Sequence, residues 1–183
     1  MMTIGALIIL SLTVLLTNRS SLQYGAIINQ TEVDIYSVSL AQSIIEEAAG
    51  KAFDHFSATD TAGDGNVVTS LSQLSATLGA ESDDTLTPTA RPTKYFFDDF
   101  DDYNSWNATP FYWYISGAPD TFRIRATVFY IDSANPELAV TSKTWHKKIV
   151  VRVWPNSIAP WGDKNPRPDT VIMSYIYSYW WFR

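Results

Sequence analysis

The chain of 183 residues contains no cysteine, which excludes disulfide bonds, cysteine-based metal sites and cysteine nucleophiles. Clustered basic residues are scarce as well. The net charge is −6, and Lys147-Lys148 is the only pair of adjacent basic side chains. Because nucleic-acid binding needs clustered Lys and Arg, this composition argues against a nucleic-acid partner.

Catalytic signatures are also missing. The sequence holds no G-x-S-x-G elbow, no G-x-G-x-x-G turn and no P-loop. Its two histidines are predicted to lie apart, with His55 at the end of a helix and His146 in a strand, so they offer no acid–base pair. We therefore predict that the protein is not an enzyme and that it needs no organic cofactor.

Charge is absent from the first segment, Met1–Thr17, and Arg19 is the only basic residue before Lys51. As a helix the uncharged run covers roughly 25 Å, which is marginal for crossing a bilayer core. Three interpretations remain open: an assembly helix that also spans the membrane before assembly, a simple membrane anchor, or a signal sequence. The last lacks a basic start and a small-x-small cleavage site.

Helical periodicity continues beyond this run to about Phe56. Apolar residues recur there in steps of three and four, which places them on one stripe that we expect to dock on the rest of the protein. The stripe consists of Val33, Tyr36, Leu40, Ile44, Ala48, Ala52 and Phe56. A second, short helix is predicted around Ser70–Leu78.

The C-terminal half has the pattern of β-strands. Runs rich in β-branched and aromatic residues are separated by turn-forming segments, and strands joined in this way usually pair antiparallel. The predicted strands are Phe111–Ile115, Phe122–Ile131, Lys143–Trp154 and Val171–Phe182. The fold class is therefore α+β, with a long N-terminal helix packed on a four-stranded antiparallel sheet.

The last of these strands is apolar on both faces, although a single helix can cover only one. Its odd-numbered face carries Met173, Tyr175, Tyr177, Tyr179 and Trp181. Rigid aromatic side chains dominate protein interfaces, so we predict an assembly surface there, with Tyr177 and Trp181 as its main contacts.

Four carboxylates crowd the segment Phe97–Tyr103, at Asp98, Asp99, Asp101 and Asp102. Like charges this close repel one another unless they are solvated or neutralised. A solvated loop anchored by Phe97, Phe100 and Tyr103 is one interpretation. The other is a calcium site formed by the four aspartates, because Ca²⁺ prefers oxygen ligands.

Three stretches resemble a known family. They are SLAQSIIEEAAGKAFD (Ser39–Asp54), FDDFDDYNSW (Phe97–Trp106) and WHKKIVVRVWP (Trp145–Pro155). Together with the helix-then-sheet order, they are similar to type IV pilins and pseudopilins, in particular minor pilin-like proteins of the mannose-sensitive haemagglutinin type. The resemblance implies a structural subunit of an extracellular filament on the cell surface, held in the membrane before assembly.

We accordingly predict two parts, an assembly and transmembrane helix (residues 1–56) and a β-rich head (residues 57–183). The expected partners are other copies of the chain. The residues predicted to mediate assembly are Ile4, Leu7, Ile8, Leu10, Leu12, Val14, Leu15, Arg19, Tyr177 and Trp181. The alternative is a bitopic membrane protein that displays a ligand-binding or adhesive β head.

Overall fold

The computed structural model describes residues 2–58, 66–81, 94–107, 111–115, 118–155 and 170–179. One helix, α1 (Met2–Ala49), precedes five strands: β1 (Phe111–Ile115), β2 (Ala118–Ile131), β3 (Ala139–Val140), β4 (His146–Pro155) and β5 (Val171–Ser178). Short 3₁₀ helices occupy His55–Ser57, Leu71–Gln73 and Asp101–Tyr103. The α+β class and the antiparallel sheet are confirmed.

The four main strands lie in the order β1-β2-β4-β5, and each pairs antiparallel with its neighbour. The two-residue β3 pairs with the end of β2. At the centre of the sheet Ala126 is opposite Val151. Near the start of β4, Lys147 is opposite Tyr130 of β2 on one side and Tyr177 of β5 on the other, so it has a neighbouring strand on both sides.

The core fills the space between the sheet and the C-terminal third of α1. Alternate residues of β2 face this core, and they are all buried: Phe122, Ile124, Ala126, Val128 and Tyr130. Alternate residues of β4 and the aromatic side chains of the acidic segment complete this core. They are Ile149, Val151, Val153, Phe97, Phe100 and Tyr103.

On α1 the stripe is confirmed only in part. Val33, Ile44 and Ala48 are buried, and Tyr36 and Leu40 pack against the core from its margin. Phe56 is 36% exposed and lies outside the helix.

The helix was predicted to reach Phe56, and this is wrong by seven residues. It ends at Ala49, before Gly50, a residue of low helix propensity. The backbone then forms a short parallel bridge to the acidic segment, in which the Ala52 amide donates to the Asp98 carbonyl and the Phe100 amide donates to the Ala52 carbonyl. Directly after this bridge, the Phe53 side chain packs in a second core cluster with Val68, Leu74 and Tyr130.

The helix predicted around Ser70–Leu78 is only the single turn Leu71–Gln73. A capping box holds the start of this turn: the Ser70 hydroxyl accepts from the Ser72 amide, and the Gln73 side-chain oxygen accepts from the Ser70 amide. The Ser75 amide then donates to the Asp54 carboxylate instead of to a helical carbonyl.

Two strand boundaries also differ. β4 begins at His146, and the preceding Lys143 ammonium donates to the carbonyls of Ser72 and Leu74. β2 begins four residues before the predicted start, because Ala118 already pairs with Ile115 of β1. The predicted end of the last strand, Phe182, lies outside the described residues.

Candidate functional site

Two features stand out: an exposed apolar helix and a buried charge cluster. The first is the part of α1 that precedes the head. Val33 is the first buried residue of the helix among those whose side chains are described. Between Leu7 and Ile28, the large apolar side chains are exposed, from 56% at Leu16 to 76% at Leu22. Four successive apolar residues, Leu7–Leu10, point in four directions at 100° steps, so the helix is apolar on all sides.

Most of the predicted assembly residues lie on this segment. Leu7, Ile8, Leu10, Leu12, Val14, Leu15 and Arg19 are all exposed. The side chain of Ile4 and the whole of Trp181 lie outside the described part of the chain.

Tyr177 is placed differently from the prediction. The odd-numbered face of β5 faces the core, where Val171, Met173 and Tyr177 pack against the buried residues. The Tyr177 ring meets Phe53 and Phe100 edge-on, with centroids 5.5 and 5.1 Å apart. The outer face is the even-numbered one, which exposes Ile172 and Ile176. The predicted outward placement is therefore wrong for Met173 and Tyr177, whereas Tyr175 on the same face is 40% exposed.

The second feature is the acidic segment, which is largely buried. Asp99, Asp101 and Asp102 have almost no exposed surface, whereas Asp98 remains exposed. The solvated-loop interpretation is thus wrong for three of the four aspartates. The predicted anchoring of the segment is confirmed, since Phe97, Phe100 and Tyr103 lie in the core.

Backbone amides hold two of these carboxylates in place. One oxygen of Asp99 accepts from the amides of Asp101 and Asp102 at 2.7 and 3.2 Å. One oxygen of Asp102 accepts in return from the amides of Asp98 and Asp99, at 2.9 and 3.0 Å. This reciprocal capping fixes the tight turn that presents Asp101 to the sheet.

Lys147 enters the cluster from β4. Its side chain is fully buried, and its ammonium forms ion pairs with Asp101 and with Asp54, the latter at 2.7 Å. It also donates to the Phe53 carbonyl at 2.8 Å. The same nitrogen lies 4.6 Å from the centroid of the Phe53 ring and 5.4 Å from that of Tyr130.

Asp54 comes from the loop after α1, and several donors hold it as a carboxylate. The Ser75 amide and hydroxyl donate to it at 3.0 to 3.1 Å. Burial alone would raise the pKa of Asp54, but Lys147, together with the amides of Ser75 and Phe56, holds that pKa below its usual range.

The pKa values of Asp99 and Asp101 shift in the opposite direction, upward. Burial, reinforced by the charges of Asp101 and Asp102, raises the pKa of Asp99 to about 10. Burial also raises the pKa of Asp101, and the nearby Lys147 only partly opposes this shift.

The calcium hypothesis stays a prediction, with a changed set of ligands. Asp98, Asp99 and Asp102 present carboxylate oxygens within 4.8 Å of one another, and so do the ligand atoms of His55, Glu81 and Asp99. Neither group contains Asp101, which is bound to Lys147 instead.

Sequence reasoning missed Lys147 and Asp54 as partners of the acidic segment. A signal for Lys147 was present, because it shares its strand face with Ile149, Val151 and Val153. A lysine on the apolar face of a strand is either paired or strongly perturbed. For Asp54 the sequence offers no comparable signal.

No protein-family model, curated protein or solved structure matches this chain. Within the described part of the chain, none of the helices combines the length and the sustained hydropathy that a bilayer crossing requires.

Proposed function

We propose that this protein is a structural subunit of a pilus-like filament and that it polymerises by burying the first half of α1 among the same helices of other subunits. The observation that carries this proposal is the length of bare apolar helix. α1 has 48 residues, so it is about 72 Å long at 1.5 Å per residue, and only its last third packs on the head. A helix that is apolar on all sides needs cover.

The polar groups in the first part of this segment fit a dry environment, although exposed polar side chains follow at Asn18, Ser20, Ser21 and Gln23. The hydroxyls of Ser11, Thr13 and Thr17 donate to the carbonyls four residues earlier, at 3.0, 2.6 and 2.7 Å. These groups therefore need no water when neighbouring helices close around them. Arg19 is the only charge up to Thr31.

Two glycines favour helices as the neighbours. A Cβ added at Gly5 or Gly25 would meet no atom within 4 Å, so nothing within the subunit requires glycine at either position. Small residues let two helix backbones approach closely when both are surrounded by apolar groups. The family resemblance adds the expectation of an extracellular filament, assembled from subunits stored in the membrane.

Assembly of the full-length chain tests the proposal. The protein is purified in detergent, the detergent is removed at increasing protein concentrations, and polymer is measured by sedimentation and negative-stain microscopy. We expect filaments above a threshold concentration. Leu10→Asp should abolish them, because an unpaired carboxylate buried in a helical bundle costs several kcal/mol.

Ser142→Asp is the matched control, since it adds the same charge at an exposed position on the head. It should leave assembly unchanged. Normal filaments from Leu10→Asp would contradict the proposal. A wild-type chain that stays monomeric and inserts into vesicles would favour the membrane-anchored alternative instead.

A further inference from the structure

We propose that Lys147 and Asp101 condense spontaneously into an intramolecular amide bond, with Asp54 carrying the proton. This covalent modification is independent of the filament proposal. It would provide a cross-link in a chain that has no cysteine to form one. The three groups come from separate parts of the chain: β4, the acidic turn and the loop after α1.

Contact between the reacting groups is the first support. The Lys147 nitrogen touches the Asp101 carboxylate and lies 2.7 Å from an oxygen of Asp54. A nucleophile and its base must approach within about 2.6–3.2 Å, and both contacts come from the folded chain alone. All three side chains are fully buried, so water does not compete for the amine.

The apolar surroundings are the second support. The rings of Phe53 and Tyr130 lie close to the Lys147 nitrogen, and Phe100 is buried beside Asp101. The rings hold the nitrogen in place over their faces and keep solvent away from the Asp101 carboxyl group. A neutral amine is the nucleophilic form of lysine.

The two carboxyls differ in a way that assigns their roles. Asp54 accepts hydrogen bonds from Ser75, from the Phe56 amide at 3.4 Å and from Tyr130 at 3.5 Å, which stabilise its charge. One oxygen of Asp101 accepts from the Lys147 ammonium, and its other oxygen is buried without a hydrogen-bond partner among the described residues. Asp54 is therefore held as a carboxylate, the form that can accept a proton, and Asp101 is the group to be attacked.

The reaction balances without an added reagent. The Lys147 ammonium first passes one proton to the Asp101 carboxylate, which leaves a neutral amine and a neutral acid. The amine lone pair attacks Cγ of Asp101, and the new N–C bond forms. Asp54 takes a second proton from the attacking nitrogen and gives it to the departing hydroxyl. The C–O bond breaks, its electron pair leaves with the oxygen, and one water molecule is released.

The bond would join positions 46 residues apart. It would fasten the acidic turn to the middle strand of the sheet. A cross-link of this kind restricts the unfolded chain and so favours the folded state. It would also remove one buried charge of each sign from the core.

Mass spectrometry of the denatured full-length protein tests the inference. The wild-type chain is expected to weigh one water molecule less than its sequence. After proteolysis, Lys147 and Asp101 should be found together in one branched peptide. A wild-type chain that yields both residues only in separate linear peptides overturns the proposal, whether or not any variant folds. Loss of water that maps to a linear peptide, such as one containing Asp64-Gly65, overturns it as well.

Substitutions assign the roles. Asp101→Asn should lose ammonia instead of water and give the same final mass as the wild type. Lys147→Arg should keep the full mass of its sequence. Lys148→Arg is the matched control, because the adjacent Lys148 pairs with the exposed Glu137 at 2.7 Å and should leave the cross-link intact. A branched peptide that persists in Asp101→Ala would overturn Asp101 as the acceptor, and an undiminished cross-link in Asp54→Asn would overturn Asp54 as the proton carrier.

Discussion

The Tyr177 hydroxyl donates a hydrogen bond to the Lys51 carbonyl at 3.3 Å, and this contact joins β5 to the chain just after α1 ends. Because the ring also packs on Phe53 and Phe100, we expect Tyr177→Ala to destabilise the protein by about 3 kcal/mol. Tyr177→Phe keeps the ring and loses only one long hydrogen bond, so it should cost about 0.5 kcal/mol. Urea denaturation of the full chain in detergent measures both.

Ile172→Ala is the control for this pair. Ile172 lies on the opposite face of the same strand and is 53% exposed, so its truncation should change the free energy of unfolding only slightly. Equal losses from Tyr177→Ala and Ile172→Ala would contradict the placement of Tyr177 in the core.

Asp99 makes the stability depend on pH. The folded protein keeps a proton on Asp99 up to about pH 10, whereas the ordinary value is 3.8. Between these values the folded state binds more protons than the unfolded state, so the free energy of unfolding falls as pH rises. The slope from this residue is at most about 1.4 kcal/mol per pH unit.

Asp99→Asn should flatten this slope, because its side-chain oxygen can still accept from the amides of Asp101 and Asp102. Urea denaturation between about pH 5 and pH 9 measures the change. The lowered pKa of Asp54 acts with the opposite sign, and only below its ordinary value of 3.8, so it does not affect this window. A slope that is the same in Asp99→Asn would exclude Asp99 as its source.

Calcium should raise the melting temperature if Asp98, Asp99 and Asp102 bind it. The rise should follow the logarithm of the free calcium concentration, because the ion binds only the folded state. It should also grow with pH, since Asp99 must lose its proton to bind a metal. Thermal unfolding is compared with and without chelator.

Asp98→Asn should reduce the calcium effect. Asp34→Asn removes an exposed carboxylate on α1 and should leave the effect intact. A melting temperature that is indifferent to both calcium and chelator would remove the hypothesis.

Substitutions at Gly25 test for an effect on assembly that is separate from any effect on the single subunit. Because a Cβ there meets no other atom, Gly25→Ala should stabilise the isolated helix by about 1 kcal/mol. Gly25→Leu should also be tolerated by the monomer, yet it should keep neighbouring helices apart and raise the threshold concentration for assembly. Helicity by circular dichroism and polymer by sedimentation are measured on the same samples. Unchanged assembly in Gly25→Leu would show that no backbone approaches Gly25.

The main elements of the fold could be predicted from local sequence. The helical stripe around Ile44 and the alternation of β2 are periodic signals, and both appear as buried faces. The end of α1 had a local signal in Gly50, which the long apolar periodicity outweighed. The pairing of Ala52 with Asp99, which lie far apart along the chain, could not be predicted from local sequence. β5 is apolar on both faces, so its pattern could not decide whether the face that carries Tyr177 packs on the core or points outward.

The buried charge cluster illustrates a different limit. Four closely spaced aspartates suggest solvation because like charges repel one another. Lys94, the nearest basic residue along the chain, pairs with Glu47 instead. The counter-charge is Lys147, which lies far from Asp101 along the chain. The pairing of β2 with β4 and the packing of Phe53 in the core place the two residues together. The sequence shows that Lys147 lies on the apolar face of its strand, but it does not show which residues Lys147 contacts.

The internal hydroxyl bonds of Ser11, Thr13 and Thr17 have one more consequence. From Leu7 to Thr17 every side-chain hydrogen-bond donor is used within the helix, and there is no charged side chain. Two such helices could shift along each other by one helical turn, and each side chain would again meet apolar neighbours. If subunits assemble as proposed, the register between them would be set elsewhere, at Gly5, Gly25 or Arg19 or by the heads. A bundle built this way could lengthen under load by small axial slips without breaking any polar contact along this stretch.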